Sequence, residues 1–454
     1  MLYLRKITLR NNSKVSNFRR FISVLYLTGD KAKENYAPIA PYLEFQKRLD
    51  NLSSFQNNIS RRGLNVDLES LKNKYEHFLD LQQKKADLER AREEISKKIK
   101  ELEKSSKDVS IDELKANGIN VRNSLKALKE SIYPVEDEFV REFLCLPNDL
   151  HKRCPQGTED AIIYRSGLPP QNTSSASSHL IRTDLINYVD RDCYYLLDNA
   201  AQFELDCTHL CRDLFVRSDF VSMTNPDFTR KVLMEANLTP LNEYHGVYEE
   251  DQRHHLNSAF LAGGGSYESF LGYLAKLFVY PSVLPLRMIS NGRQYKIKEE
   301  LPTEMGLYAA TQCNSVQTLV ASPTLEEADR QLDDILNLAV DFYKGLGLHF
   351  RVVFVKPSSL APSESLRASI QIYSPAYSQY VEVGNVSHYL DFVSQRILFN
   401  TKDKKDTKFL HLVGGPIVKS SVLVAAMIEN QVPLTVTRSC SKKTQVEVFK
   451  SLFE

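Results

Sequence analysis

The chain has 454 residues, a hydrophobic fraction of 42%, a charged fraction of 25% and a formal net charge of +1. That length exceeds one compact domain and allows a large buried core, while near-neutrality makes no global case for nucleic acid and confines any basic surface to a local patch. No apolar run is long enough to span a bilayer, and seven scattered cysteines without a CxxC pair argue against a disulfide framework or zinc ribbon.

From Met1 to Gly29 there is no Asp or Glu, yet Arg5, Lys6, Arg10, Lys14, Arg19 and Arg20 alternate with apolar residues. This is the composition of a mitochondrial transit peptide; the alternative is a basic tail that binds something acidic. The first reading puts residues 1–36 outside the fold and the protein in the mitochondrial matrix.

From Leu64 the pattern turns helical. Leu68, Leu71, Tyr75 and Phe78 recur at three- and four-residue steps, and Leu81, Leu88, Ile95 and Leu102 at sevens. Glu93–Lys97, Glu94–Lys98 and Glu103–Lys107 have the spacing of i,i+4 ion pairs. After a polar break, Leu114, Val121, Leu125, Leu128 and Ile132 form a second run that should end at Pro134. Two long helices with a short connection predict an antiparallel hairpin over residues 37–145. Residues 146–178 read as hinge and linker. In 179–454, β-branched runs such as Phe350–Val355 and Ala368–Tyr373 alternate with helical stretches such as Leu325–Tyr343, predicting an α+β domain with an antiparallel sheet. Cys207, His209 and Cys211 lie close together but lack further partners at zinc-ligand spacing, so they read as helix thiols; no metal and no cofactor is expected.

A helical hairpin ahead of such a sheet resembles the seryl-tRNA synthetase family. Leu146–His151 looks like the hinge after its arm, and Phe220–Phe228 like class II motif 1, with Pro226 in the place of its proline. Leu284–Lys296 and Met305–Cys313 look like the two strands of motif 2, and Leu410–Gln431, ending in ENQ, like motif 3. The resemblance implies an arm that embraces tRNA and a dimer built around motif 1, here with Leu210, Leu214, Phe215, Phe220 and Pro226. It also identifies departures. The motif 2 arginine falls on Lys296, a carboxylate two residues later on Lys298, the arginine of the return strand on Ala309 and the final glutamate on Gln317. The motif 3 arginine falls on Ser421. The Thr-Ala-Glu of the serine pocket falls on Gly264, Gly265 and Ser266, while Glu382 matches.

Arginine grips phosphate through a planar fork that lysine lacks. Losing one preorganised charge-stabilising group costs roughly 3–4 kcal/mol of barrier. Several losses together predict a synthetase relative without aminoacylation activity. Its RNA contact would come from Lys84, Lys85, Arg90, Arg92, Lys97, Lys98, Lys100 and Lys104, within a span from Lys84 to Lys107 of nine basic and six acidic residues. The resemblance further implies pairing with the active mitochondrial seryl-tRNA synthetase, mitochondrial RNA such as tRNA-Ser as ligand, and no membrane insertion. A divergent but active enzyme, and a matrix scaffold without an RNA role, remain as alternatives.

Overall fold

A computed structural model describes residues 23–27, 39–104, 111–169, 178–190, 193–248, 258–297, 303–403 and 406–435. Helices α1 (Phe45–Leu49) and α2 (Leu52–Arg61) lead into α3 (Leu68–Lys104) and α4 (Ile111–Leu144). At 37 and 34 residues, α3 and α4 form an antiparallel arm on the order of 50 Å long. Asp67 starts α3 by accepting from the Ser70 amide at 2.9 Å. Along the arm Leu81, Leu88, Ile95 and Ile99 are only half-buried, because two helices cover one seam and nothing covers the rest. Gly118 on α4 brings the helices close, its missing Cβ lying 3.5 Å from Ile95 Cγ2.

The second helix does not end at Pro134 as expected; it runs on to Leu144. Proline removes one backbone hydrogen bond, but the two turns beyond it carry Phe139, Val140, Phe143 and Leu144 into the core. The Phe139 ring sits within 5.0–6.0 Å of the rings of Phe45, Tyr75, Phe78 and Phe143. That burial outweighs the lost bond.

The body is an eight-stranded sheet of β1 (Ala161–Ser166), β2 (Val221–Met223), β3 (Leu286–Tyr295), β4 (Gln312–Ser322), β5 (Phe350–Phe354), β6 (Leu366–Ser374), β7 (Gln379–Leu390) and β8 (His411–Lys419). Its order is β1-β5-β6-β7-β8-β4-β3-β2. Every pairing is antiparallel except β2 with β3, where Val221 lies opposite Met288. Six further helices flank it: α5 (Asp198–Val216), α6 (Lys231–Ala236), α7 (Tyr267–Leu274), α8 (Leu325–Gly345), α9 (Phe392–Ile397) and α10 (Ser420–Glu429). Alternation in β4 sends Val316 and Val320 into a core with α5, α8 and α10, and Leu319 and Ala321 into a core with α6, α7, α9 and the arm base. The sheet is therefore covered on both faces.

Three other expectations change. Val24 and Leu25 are buried in the arm-base core, and both of their amides donate to Glu235 Oε2, at 2.8 and 3.1 Å; residues 23–27 thus belong to the fold and not to the excluded 1–36. Met305–Tyr308 is a 3₁₀ turn, and the return strand of motif 2 begins only at Gln312. The turn is held by Glu429 of ENQ, which accepts from Tyr308 Oη at 2.9 Å and lies 2.9 Å from His179 Nδ1. Finally, Glu93–Lys97 and Glu94–Lys98 do not pair, which leaves Lys97 and Lys98 without an ion partner among the described residues; Glu103–Lys107 falls outside them.

Phe139→Ala should lower unfolding stability by about 3–5 kcal/mol, read as a shift of the urea midpoint, since it empties the centre of the aromatic cluster that roots the arm.

Candidate functional site

The sheet face shared with α7 bears a cavity of about 190 Å³. Gln294 and Lys296 reach it from β3 and its end, Gln317 from β4, Glu382, Asn385 and Tyr389 from β7, and Lys419 from the end of β8. Glu364 comes from the segment leading into β6, Arg367 from the start of β6 itself, and Glu268 from α7.

The charges in it are largely spent on each other. Lys419 Nζ lies 2.8 Å from Glu382 Oε1, and Glu382 also accepts from Ser369 Oγ at 2.8 Å and Asn385 Nδ2 at 2.9 Å. Burial pushes the Glu382 carboxyl up, but Lys419 and Arg367 override it and hold it well below the usual range. Arg367 makes a forked pair with Glu364, at 2.7 and 3.0 Å. Burial disfavours its charge, yet Glu364 and Glu382 raise its affinity for the proton above that of a free arginine. Lys296 is drawn to Glu243 at 2.7 Å. Each of these cations thus already has a carboxylate partner within the chain.

The predicted positions divide. Lys296, Gln317 and Glu382 line the cavity, whereas Ala309, Ser421, Gly264 and Ser266 do not. Ala309 is buried in the turn ahead of β4, with Ala310 and Thr311 at the cavity instead. Ser421 is buried, and its hydroxyl makes no hydrogen bond. Lys298 lies outside the described residues. Arg293, the one nearby arginine that might have substituted, points to the opposite face, toward Tyr194. Glu268, Glu364, Arg367 and Lys419 were not singled out by sequence; the signal available was their charge inside otherwise apolar or small-residue segments.

The glycines in the serine-pocket segment have a packing reason. A Cβ on Gly265 would sit 2.5 Å from the Gly292 carbonyl oxygen, and one on Gly264 2.7 Å from that of Asn225. Gly263, at φ +94°, would put one 2.0 Å from the Arg293 oxygen. The segment lies backbone to backbone against β3, where side chains have no space.

On α5, Cys207 and Cys211 face the core and burial pushes both thiols up, while His209 is exposed on the other side. The three cannot converge on one ion. Behind the sheet, His151, Asp329 and His388 do converge, with ligand atoms within 4.8 Å. Here the tautomers oppose a metal. The Arg153 amide donates to His151 Nδ1 at 3.2 Å and the Leu390 amide to His388 Nδ1 at 2.9 Å. Each neutral ring then carries its proton on Nε2, the nitrogen a metal would need. His151 Nε2 instead pairs with Asp329 at 3.0 Å.

Two of the predicted dimer residues, Phe215 and Phe220, need correction. Phe215 and Phe220 are buried inside the chain, their rings 5.1 Å apart, and Leu210 and Leu214 pack on the same core. Pro226 is exposed. Apolar side chains at the surface there include Leu205 and Val216 on α5, Val221 on the edge strand β2, and Phe228.

A helical arm hinged to this sheet, with a cavity bounded by the two strands of motif 2 and by β7 and β8, is the class II synthetase fold. The chain belongs to the seryl-tRNA synthetase family. The family profile described as the seryl-tRNA synthetase N-terminal domain matches residues 43–150. A similar protein is the serine–tRNA synthetase-like protein Slimp of Drosophila melanogaster, 44% identical with both chains covered in full. The mitochondrial serine–tRNA ligase of Mus musculus is 28% identical over 72% of this chain and 65% of that protein. In three dimensions the chain superimposes on seryl-tRNA synthetase from Pyrococcus horikoshii complexed with ATP, at a TM-score of 0.72 and 16% identity, covering 86% of this chain and 96% of that one.

Burial depresses His388 from 6.5 to about 3. It stays neutral in the fold while the unfolded chain takes up its proton, so its contribution is complete above pH 6.5 and is lost as pH falls toward 3. Asp329, held down to about 2 by His151 against the effect of burial, loses its contribution only below its ordinary 3.8. His388→Asn should therefore flatten the fall of stability between pH 6.5 and 4 by up to about one proton in slope, measured by urea unfolding. His411, also depressed by burial, titrates in both proteins.

Proposed function

We propose that this chain is a non-catalytic mitochondrial paralogue of seryl-tRNA synthetase that binds RNA and supports mitochondrial translation in association with the active mitochondrial enzyme. The observation that carries the reading is the cavity, where Lys296, Arg367 and Lys419 are each neutralised by a carboxylate of the same chain. Phosphoryl and acyl-adenylate chemistry needs cations preorganised toward the developing charge. Similarity to a protein named synthetase-like and to mitochondrial ligases supports the paralogue and the compartment. The acid-poor N-terminus supports import into the matrix.

The arm supports RNA binding. Lys84 and Arg90 are engaged with Asp80 and Asp87. Lys97, Lys98 and Lys100 are exposed and without ion partners among the described residues. Lys85 and Arg92 lie on the same helix; Lys104 is at its end. For the partner, Leu205 and Val216 on α5 and Val221 on the last strand of the sheet are exposed apolar side chains of the kind that a second synthetase subunit would cover.

A divergent active enzyme is the second reading, favoured by the family-like Glu382 and by the cations Arg367 and Lys419 that line the cavity with it. Calorimetry separates the two. The chain alone should take up neither ATP–magnesium nor a non-hydrolysable seryl-adenylate analogue, yet should form a complex with mitochondrial seryl-tRNA synthetase that Leu205→Glu with Val221→Glu weakens at least tenfold. Tight analogue binding by the chain alone would establish the active enzyme instead. Reversing Lys97, Lys98 and Lys100 to Glu should reduce RNA affinity at least tenfold and lower the salt slope by about one per lost phosphate contact; an unchanged slope would remove the arm from the RNA interface.

A further inference from the structure

We propose that the cavity binds a small primary ammonium ion that carries no acid group, with the Glu268 carboxylate as its counter-charge. Glu268 stands in the first turn of α7, is 7% exposed and lines the cavity. Its Oε1 accepts from Thr239 Oγ1 at 3.2 Å and from Tyr244 Oη at 3.3 Å. Both donors are neutral. The other charged side chains of the lining are in ion pairs, Glu382 with Lys419, Glu364 with Arg367, and Lys296 with Glu243. Glu268 is thus the lining carboxylate with no cation at salt-bridge distance among the described residues.

A buried carboxylate without a counter-ion is costly unless something supplies the charge. An ammonium group does so with three donors in a space of about 190 Å³. Aromatic surface waits beside it: Tyr267 and Tyr389 stack at 4.3 Å, Tyr244 bonds the carboxylate itself, and all three line the cavity. Tyrosine faces attract cations. The same charge pattern sorts ligands. Phosphate and carboxylate groups meet cations that are already paired, so an amine or amino alcohol fits better than an amino acid or a nucleotide. This inference rests on the reading above that the nucleotide site is vacated.

The test is calorimetry and thermal melting of the full chain with ethanolamine, serine, ethylene glycol and ATP–magnesium. Ethanolamine should bind saturably, serine at least tenfold more weakly, and ethylene glycol not at all. Glu268→Gln keeps an acceptor for Thr239 and Tyr244 but removes the charge; it should weaken ethanolamine at least tenfold without lowering the unliganded melting temperature. If that variant does not fold, the ethylene glycol and serine comparisons on the unaltered chain decide. Absence of saturable ethanolamine binding, an equal effect of ethylene glycol, or undiminished affinity in Glu268→Gln overturns the proposal. Failure of ethanolamine with no nucleotide binding leaves the non-catalytic reading standing; nucleotide binding without ethanolamine binding overturns both.

Discussion

Much of the molecule hangs on the contacts around Glu364. Its carboxylate accepts from Arg367, from Ser387 Oγ at 2.7 Å and from the Ala361 amide at 2.8 Å. Its carbonyl accepts from Arg62 Nη2 at 2.6 Å, and the same nitrogen reaches the Asn148 carbonyl at 3.0 Å. Asn148 in turn donates to the carbonyls of Ser363 and Tyr389. One buried cluster therefore ties α2, the hinge, β7 and the cavity wall together. Burial lowers the Arg62 guanidinium to about 10, yet it remains charged because carbonyl oxygens surround it. A buried cation satisfied on every side specifies one arrangement of the joint, since any other would strand the charge.

The cavity follows the same rule with a different outcome. In a site meant for an anionic ligand, cations wait for charge to arrive. Here Lys419 is paired with Glu382 and Arg367 with Glu364, both carboxylates of the chain itself. The proposed loss of catalysis thus rests on these pairings as well as on the residue types. The glycine segment 263–265 makes a related point: with its backbone against β3, a side chain at Gly264 or Gly265 would meet carbonyl oxygens well inside contact distance.

Sequence patterning was sound where one local rule governs. The seam of the arm, the strands Phe350–Phe354 and Leu366–Ser374, and helix α8 lie where periodicity put them. It failed where tertiary burial overrode a local rule. Pro134 sits inside a helix because the residues beyond it are core. Residues 23–27 look like leader sequence but fill a hydrophobic site. Phe215 and Phe220 read as interface apolars and are internal ones, since apolar character alone does not say which surface is covered.

By itself, then, the sequence determined the α+β class, the helical arm and membership of the family, because periodicity and motif order are properties of the linear chain. Only the tertiary structure decided what the remaining charges do. Glu243, Glu268, Glu364, Glu382, Arg367, Lys296 and Lys419 are spread over almost 180 residues of chain, and whether each finds a partner depends on distances of a few ångströms that no spacing encodes. Coulomb energy and desolvation act through space, so the pairing in the cavity, and the one carboxylate left over, appear only once the strands are in register.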